Sequence, residues 1–166
     1  MARESPLRRW LIRVPLLFHR YGLRGFERVL RIDWMVLTTR GRRSGRPHQV
    51  MLDVVGHDPA SDTFYVQPAD GRRADWVRNA LADPRVVAEL CGRRFDARVA
   101  DVTGAEGADV VLRFVRGHPW YARIVVWFVG YVDRLDRPDE EVRARLMGTP
   151  VFAIRPEPAP APVQPR

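Results

Sequence analysis

The sequence predicts an α+β protein in which about six strands, mostly joined as hairpins, build an antiparallel sheet or small barrel, with helices at the start, middle and end. Three observations carry this prediction. Apolar stretches of strand type alternate with glycine- and proline-bearing turns from residue 34 to 67 and again from 85 to 102. The helical patterns do not follow each strand in turn, which argues against a parallel βαβ fold. The length of 166 residues, with 46% apolar and 29% charged residues, suits one globular domain.

The elements follow in order. Ser5-Pro6 reads as a helix start, with proline at the first helical position. Leu7, Trp10, Leu11 and Val14 then share one face, and Arg8, Arg9 and Arg13 lie off it. Pro15 ends or kinks this helix, and a second piece runs to Gly22. Trp34 to Thr39 and Pro47 to Val55 form a hairpin around the turn Arg40 to Arg46. Gly56 to Asp62 is a further turn and Thr63 to Gln67 a third strand. Arg73 to Ala82 is a short helix stopped by Asp83-Pro84. Arg85 to Cys91 and Arg94 to Val102 make a second hairpin about Gly92-Arg93, which leaves Cys91 packed in an apolar strand. Helices cover Ala105 to Arg116, Pro119 to Val132 and Pro138 to Met147, and Pro150 to Ile154 is the last strand. Three segments result: a basic amphipathic segment, 1–32; the main domain, 33–155; and a proline-rich tail, 156–166, expected to be disordered.

Composition removes whole classes of chemistry. All 28 basic residues are arginine, so a Schiff-base lysine and a Walker A lysine are both excluded. The single cysteine, Cys91, excludes an internal disulfide and a cysteine-rich zinc site. His19, His48, His57 and His118 have no metal-ligand spacing, and neither G-x-S-x-G nor G-x-G-x-x-G occurs in the right context. The net charge of +8 is uneven: residues 1–32 hold eight Arg against Glu4 and Glu27, a net of +6, and the remainder carries +2. The near-neutral body argues against nucleic acid as the partner. The first segment could lie on an anionic membrane surface or pack on its own domain. The longest uncharged apolar run, Ile124 to Val132, is too short to span a bilayer. With no signal-peptide pattern, the expected location is the cytoplasm.

Two stretches carry chemistry. In Thr38-Thr39-Arg40-Gly41-Arg42-Arg43-Ser44-Gly45-Arg46-Pro47, two glycines let a turn expose backbone N–H groups, and arginines and a hydroxyl flank them. Such a nest can hold a phosphate or a polycarboxylate; the same residues also suit a plain hairpin turn with solvated arginines. In the second stretch Arg72 and Arg73 precede Asp75-Trp76-Val77-Arg78-Asn79, where a helix start could also face an anion. Trp76 equally suits core packing, and Asn79 a local hydrogen bond.

Together the order strand, Thr-Thr-x-Gly-Arg-Arg-Ser-Gly-x-Pro, two strands, then Asp-Trp-x-x-Asn-x-x-Ala-Asp-Pro-x-Val resembles the deazaflavin-dependent nitroreductases, also called quinone reductases, from about Leu7 to Leu146. The resemblance implies a split β-barrel and coenzyme F420 as hydride carrier, with FMN, which also carries a phosphate, as the alternative. It implies that Gly41, Arg42, Arg43, Ser44 and Gly45 hold the phosphate and acidic tail, with Arg72 and Arg73 nearby. Asp75 and Trp76 would lie beside the ring. Asp53 stands near a position where nitroreductase members carry a tyrosine, and Trp120 and Trp127, seven residues apart, would share the substrate face or a core stripe. The matching hydroxyl after His118-Pro119 is Tyr121, so Tyr121, then His118, are the expected proton donors. The implied acceptor is a small apolar molecule such as a quinone or nitroaromatic. A non-catalytic flavin, lipid or haem carrier is the other use of such a barrel, and a homodimer is the form in which split barrels are often found.

Overall fold

Antiparallel pairing of β1 (Trp34–Arg40) with β2 (Pro47–Asp58) starts the barrel in the computed structural model, which describes residues 33–118 and 136–158. The basic segment 1–32, the expected helix from Pro119 to Val132 and residues 159–166 lie outside the described residues. After β3 (Thr63–Val66) come a 3-10 turn, Gly71–Arg73, and α1 (Asp75–Ala82). β4 (Arg85–Leu90), β5 (Arg93–Asp101), α2 (Ala105–Gly117), α3 (Asp139–Leu146) and β6 (Phe152–Pro156) complete the order. The strands close in the order β1-β2-β3-β6-β5-β4, each neighbour antiparallel, so the chain folds as the expected α+β barrel.

Two apolar cores lie on opposite sides of the barrel wall. Met35, Leu37, Leu52, Val54, Val66 and Phe152 fill the interior. Val55, Ala108, Val111, Val142, Leu146 and Val151 form a second core beneath α2 and α3. A β-bulge in β2 serves both: Val54 opposes Val66 and Gly56 opposes Tyr65, so Val55 is the extra residue. Gly56 thereby faces α2, and a Cβ there would stand 2.6 Å from Val110 Cγ1. The strand continues to Asp58 rather than ending at Val55, because this glycine serves a bulge and a close helix approach, not a turn.

Three further boundaries differ from expectation. The β4–β5 turn is Cys91-Gly92, with φ of 50° and 80°, the paired positive values of a type I′ hairpin. Cys91 is therefore an exposed turn residue and not a packed strand residue. α1 begins at Asp75, because Ala74 is extended (φ −54°, ψ 135°) and separates it from the 3-10 turn. β6 runs to Pro156, opposite Ala97, and Glu157 N donates to Asp96 O at 2.8 Å. The start of the expected tail thus pairs in the sheet.

Gly56→Val should force Val110 and α2 outward and cost roughly 1–3 kcal/mol. Thermal unfolding checks this: the substitution should lower Tm, and Val110→Ala in the same chain should restore part of it. An unchanged Tm would refute the tight seating of α2 on β2.

Candidate functional site

The turn between β1 and β2 is built by hydrogen bonds that consume some of its donors and leave others. Gly41 N donates to Arg46 O at 2.8 Å, and Gly45 N donates to Gly41 O at 2.7 Å. Arg42 N donates to Asn79 Oδ1 at 3.2 Å, and Arg46 N to Ser44 Oγ at 3.3 Å. The N–H groups of Arg43 and Ser44 have no acceptor among the described residues. Gly45 has φ +67°, and a Cβ on Gly41 would sit 2.8 Å from both the His48 ring and Ser44 Oγ. The backbone conformation at one glycine and the close approach at the other hold the loop open as a nest.

The two adjacent arginines differ. The Arg42 side chain is only 25% exposed, and its Nη1 donates to Asn79 Oδ1 at 3.0 Å and to Asp75 Oδ1 at 3.1 Å. Arg43 is exposed and has no salt bridge or side-chain hydrogen bond among the described residues. Arg46 and Arg73 share that condition. Arg42 thus stitches the turn to α1, and Arg43 and Arg46 are the cations of the turn left for a ligand.

Asn79 is the residue that the sequence reading missed. It is 3% exposed. Its Nδ2 donates to Thr39 Oγ1 at 3.2 Å, and Thr39 Oγ1 donates to His48 O at 3.4 Å. Its bonds cross the barrel end instead of staying local. The signal was present: a carboxamide on the same helical face as Trp76 and Ala80 needs a partner when buried.

The other expected residues fall in separate places. Trp76 is buried, edge-to-face with Phe152 at 5.3 Å, and belongs to the barrel interior. Arg72 donates to Asp101 and, at 3.1 Å, to Thr103 Oγ1, and lies 6.0 Å from the Phe152 ring centroid. Asp53 is half-buried on β2 opposite Trp34. Tyr121, Trp120 and Trp127 lie outside the described residues. His118 ends α2; its Nδ1 is 3.1 Å from Phe114 O and its ring stacks on Phe114 at 4.7 Å.

His118 also lines a cavity of about 530 Å³, together with Val55, Tyr65, Val110, Arg113 and Phe114. Burial comes first in raising the Tyr65 phenol above its usual range, followed by its hydrogen bond to Glu106. Gln49, Met51, Asp53 and Val55 alternate along one face of β2, the outer face, since Val55 joins the second core. That face connects turn to cavity over about 26 Å, from Pro47 to Val55 at about 3.3 Å per residue. No group of three or more metal-ligating side chains occurs among the described residues. No helix among them is long and apolar enough to cross a membrane.

The open N–H groups, the Gly41 cradle and the unpaired Arg43 suit an anionic, elongated ligand. The family model for F420H(2)-dependent quinone reductases matches residues 19–128. No curated protein matches the chain. Among solved structures, a protein of unknown function from Agrobacterium tumefaciens str. C58 is 18% identical, with TM-score 0.52, over 84% of this chain and 57% of that one. It shares the fold. An F420-H2-dependent reductase is 21% identical over 74% of this chain and 93% of its own, with TM-score 0.49. An FMN-binding protein related to pyridoxamine 5′-phosphate oxidase, from Nostoc punctiforme PCC 73102, is 12% identical over 93% and 82%, with TM-score 0.47.

The Arg72–Asp101 pair gives a pH prediction. Burial raises the Asp101 carboxyl, but hydrogen bonds from Arg72 and Thr103 outweigh it and hold the group below its usual value. A depressed folded value stabilises above the unfolded value of about 3.9 and loses that contribution as pH falls through the folded one. Tm should therefore drop below about pH 4, and Asp101→Asn should flatten that drop. An identical acid limb in the variant would show that this pair does not contribute.

Proposed function

The chain belongs to the F420H(2)-dependent quinone reductase family and is an oxidoreductase that uses coenzyme F420, and on that premise we propose that it reduces a flat apolar acceptor, a quinone or a nitroaromatic. The observation that carries the reading is the turn that keeps the Arg43 and Ser44 N–H groups and the Arg43 and Arg46 guanidinium groups without a protein acceptor among the described residues, while Arg42 is tied to Asn79 and Asp75. A phosphate and a run of carboxylates are what such donors bind best.

The roles of this chain's residues follow. Arg43, Ser44 and the Gly41–Gly45 backbone bind the acidic tail, with Arg73 as an exposed cation nearby. The N–H groups of Asp75 and Trp76 precede the first bond closing α1, from Arg78 N to Ala74 O, so they are available to the ring's polar edge. Arg72, held by Asp101, stiffens the preceding turn. When bound, the reduced deazaflavin supplies a hydride, two electrons in one step. The outer face of β2 carries the ring end of the extended coenzyme past Asp53 to the cavity of Val55, Val110 and Phe114, so that ring and acceptor meet in contact beside an apolar wall that excludes water. Arg113 lines the same cavity and offers a positive charge for oxygen atoms that gain electron density. His118, its ring anchored with Nδ1 3.1 Å from the Phe114 carbonyl, is one proton-donor candidate in its doubly protonated form; Tyr121, three residues on, is the other. Trp120 and Trp127 are assigned to the acceptor face from their place in the sequence.

Titration with oxidised F420, followed by fluorescence, tests the tail assignment, with FMN in parallel. Arg43→Ala should weaken F420 binding roughly 10- to 100-fold, the worth of one or two charge-assisted hydrogen bonds. Arg94→Ala, an exposed arginine on β5 at the far end of the barrel, should leave it unchanged. Equal effects would remove the turn as the tail site. For the acceptor, His118→Phe should lower kcat with a naphthoquinone while leaving F420 affinity intact. An unchanged kcat would leave Tyr121 as the donor to test next.

A further inference from the structure

We infer that Asn79 is the positioning residue of the tail site: it sets tail affinity without touching the ligand, by dictating which N–H groups of the turn are turned inward. The inference rests on the reading of the Gly41–Arg46 turn as the place where the coenzyme's anionic tail lies.

One buried carboxamide ties three points of the β1–β2 connection to α1. Its Oδ1 accepts from Arg42 N at 3.2 Å and from Arg42 Nη1 at 3.0 Å, inside the turn. Its Nδ2 donates to Thr39 Oγ1 at 3.2 Å, just before the turn. Thr39 Oγ1 passes the linkage to His48 O at 3.4 Å, just after it. The partners lie 37 and 40 residues from Asn79 in sequence, so no local motif makes this arrangement. Arg42 N is thereby withdrawn from solvent, and the next two N–H groups, of Arg43 and Ser44, keep no protein acceptor among the described residues. The Arg42 guanidinium is engaged as well: Nη1 donates to Asn79 Oδ1 and to Asp75 Oδ1, and Nη2 donates to Asp75 Oδ1 at 3.1 Å, with the Asp75 side chain 82% exposed. Of two consecutive arginines, Asn79 therefore assigns one to the protein and one to the ligand. An aliphatic residue there would take from Arg42 N its acceptor and from the buried Thr39 Oγ1 the donor Asn79 Nδ2.

The test uses the full-length protein and two ligands: oxidised F420, and the same deazaflavin with its ribityl chain but without phosphate or glutamates. Asn79→Ala should weaken F420 about tenfold, the effect of one lost positioning hydrogen bond, and change the tail-less ligand less than twofold. In turnover, KM for F420H2 should rise at unchanged kcat. Asn79→Asp keeps the acceptor for Arg42 and should recover most of the affinity. Equal weakening of both ligands, or a fall in kcat, would mark a merely structural residue and overturn the inference. If Arg43→Ala weakens F420 and Asn79→Ala does not, the inference fails and the tail site stands. If Arg43→Ala does nothing, the tail site itself fails. Should Asn79→Ala not fold, Arg42→Met removes the guanidinium from Asn79 at the exposed turn. It should give a smaller loss confined to the tailed ligand, and no loss would overturn the proposal.

Discussion

Insertion of β6 between β3 and β5 is the pairing on which the rest of the structure depends. It closes the sheet, so no strand among those described is left with an open edge. It also delivers Phe152, Ala153 and Ile154, all fully buried, to the barrel wall. Phe152 meets Trp76 edge-to-face, an arrangement worth about 0.5–1.5 kcal/mol beyond its burial. Trp76 in turn seats α1, and α1 carries Asn79 and Asp75 to the β1–β2 turn. The site is therefore suspended from the barrel interior by one helix of eight residues.

The strongly basic composition resolves into two populations of arginine. Arg42, Arg72, Arg85, Arg93, Arg98, Arg116, Arg137 and Arg143 each form an ion pair with a carboxylate. Most of these pairs are solvent-exposed, and such pairs contribute about 0–1 kcal/mol each. Arg40, Arg43, Arg46, Arg73, Arg78, Arg94, Arg113 and Arg155 have no salt bridge among the described residues, and Arg40, Arg43 and Arg46 lie in or beside the glycine turn. The proposed tail site draws on the surplus local to the turn, not on the total charge. The paired arginines brace the connections: Arg143 on Asp109 joins α3 to α2, and Arg72 on Asp101 joins the 3-10 turn to β5.

Strand positions were largely legible because each apolar run had one side that needed burial. Met35 and Leu37 alternate as the period requires, and the Gly41–Gly45 turn between two such runs is a strong local signal. The bulge at Val55 was not legible. Gly56 reads as a turn residue in sequence and becomes intelligible only when Val110 of α2 stands against it. Cys91-Gly92 was misplaced by one residue because a cysteine at φ 50° contradicts its usual preference, and the β4–β5 register overrides it. The start of α1 shifted because nothing local announces that Ala74 is extended.

By itself the sequence determined the kinds of element, the exclusion of catalytic lysines and of a cysteine-rich zinc site, and the presence of an arginine-bearing glycine turn with a Trp-x-x-Asn helix elsewhere in the chain. These properties live in residue identity and short spacing. Only the tertiary structure decided that the two stretches are in contact, that Arg42 is engaged by Asn79 and Asp75, and that Arg72 turns to Asp101. It also decided that Trp76 plugs the barrel. The physical reason is that consecutive arginines carry identical chemistry, and which of them meets a ligand depends on partners 33–37 residues away that barrel closure brings within 3.2 Å.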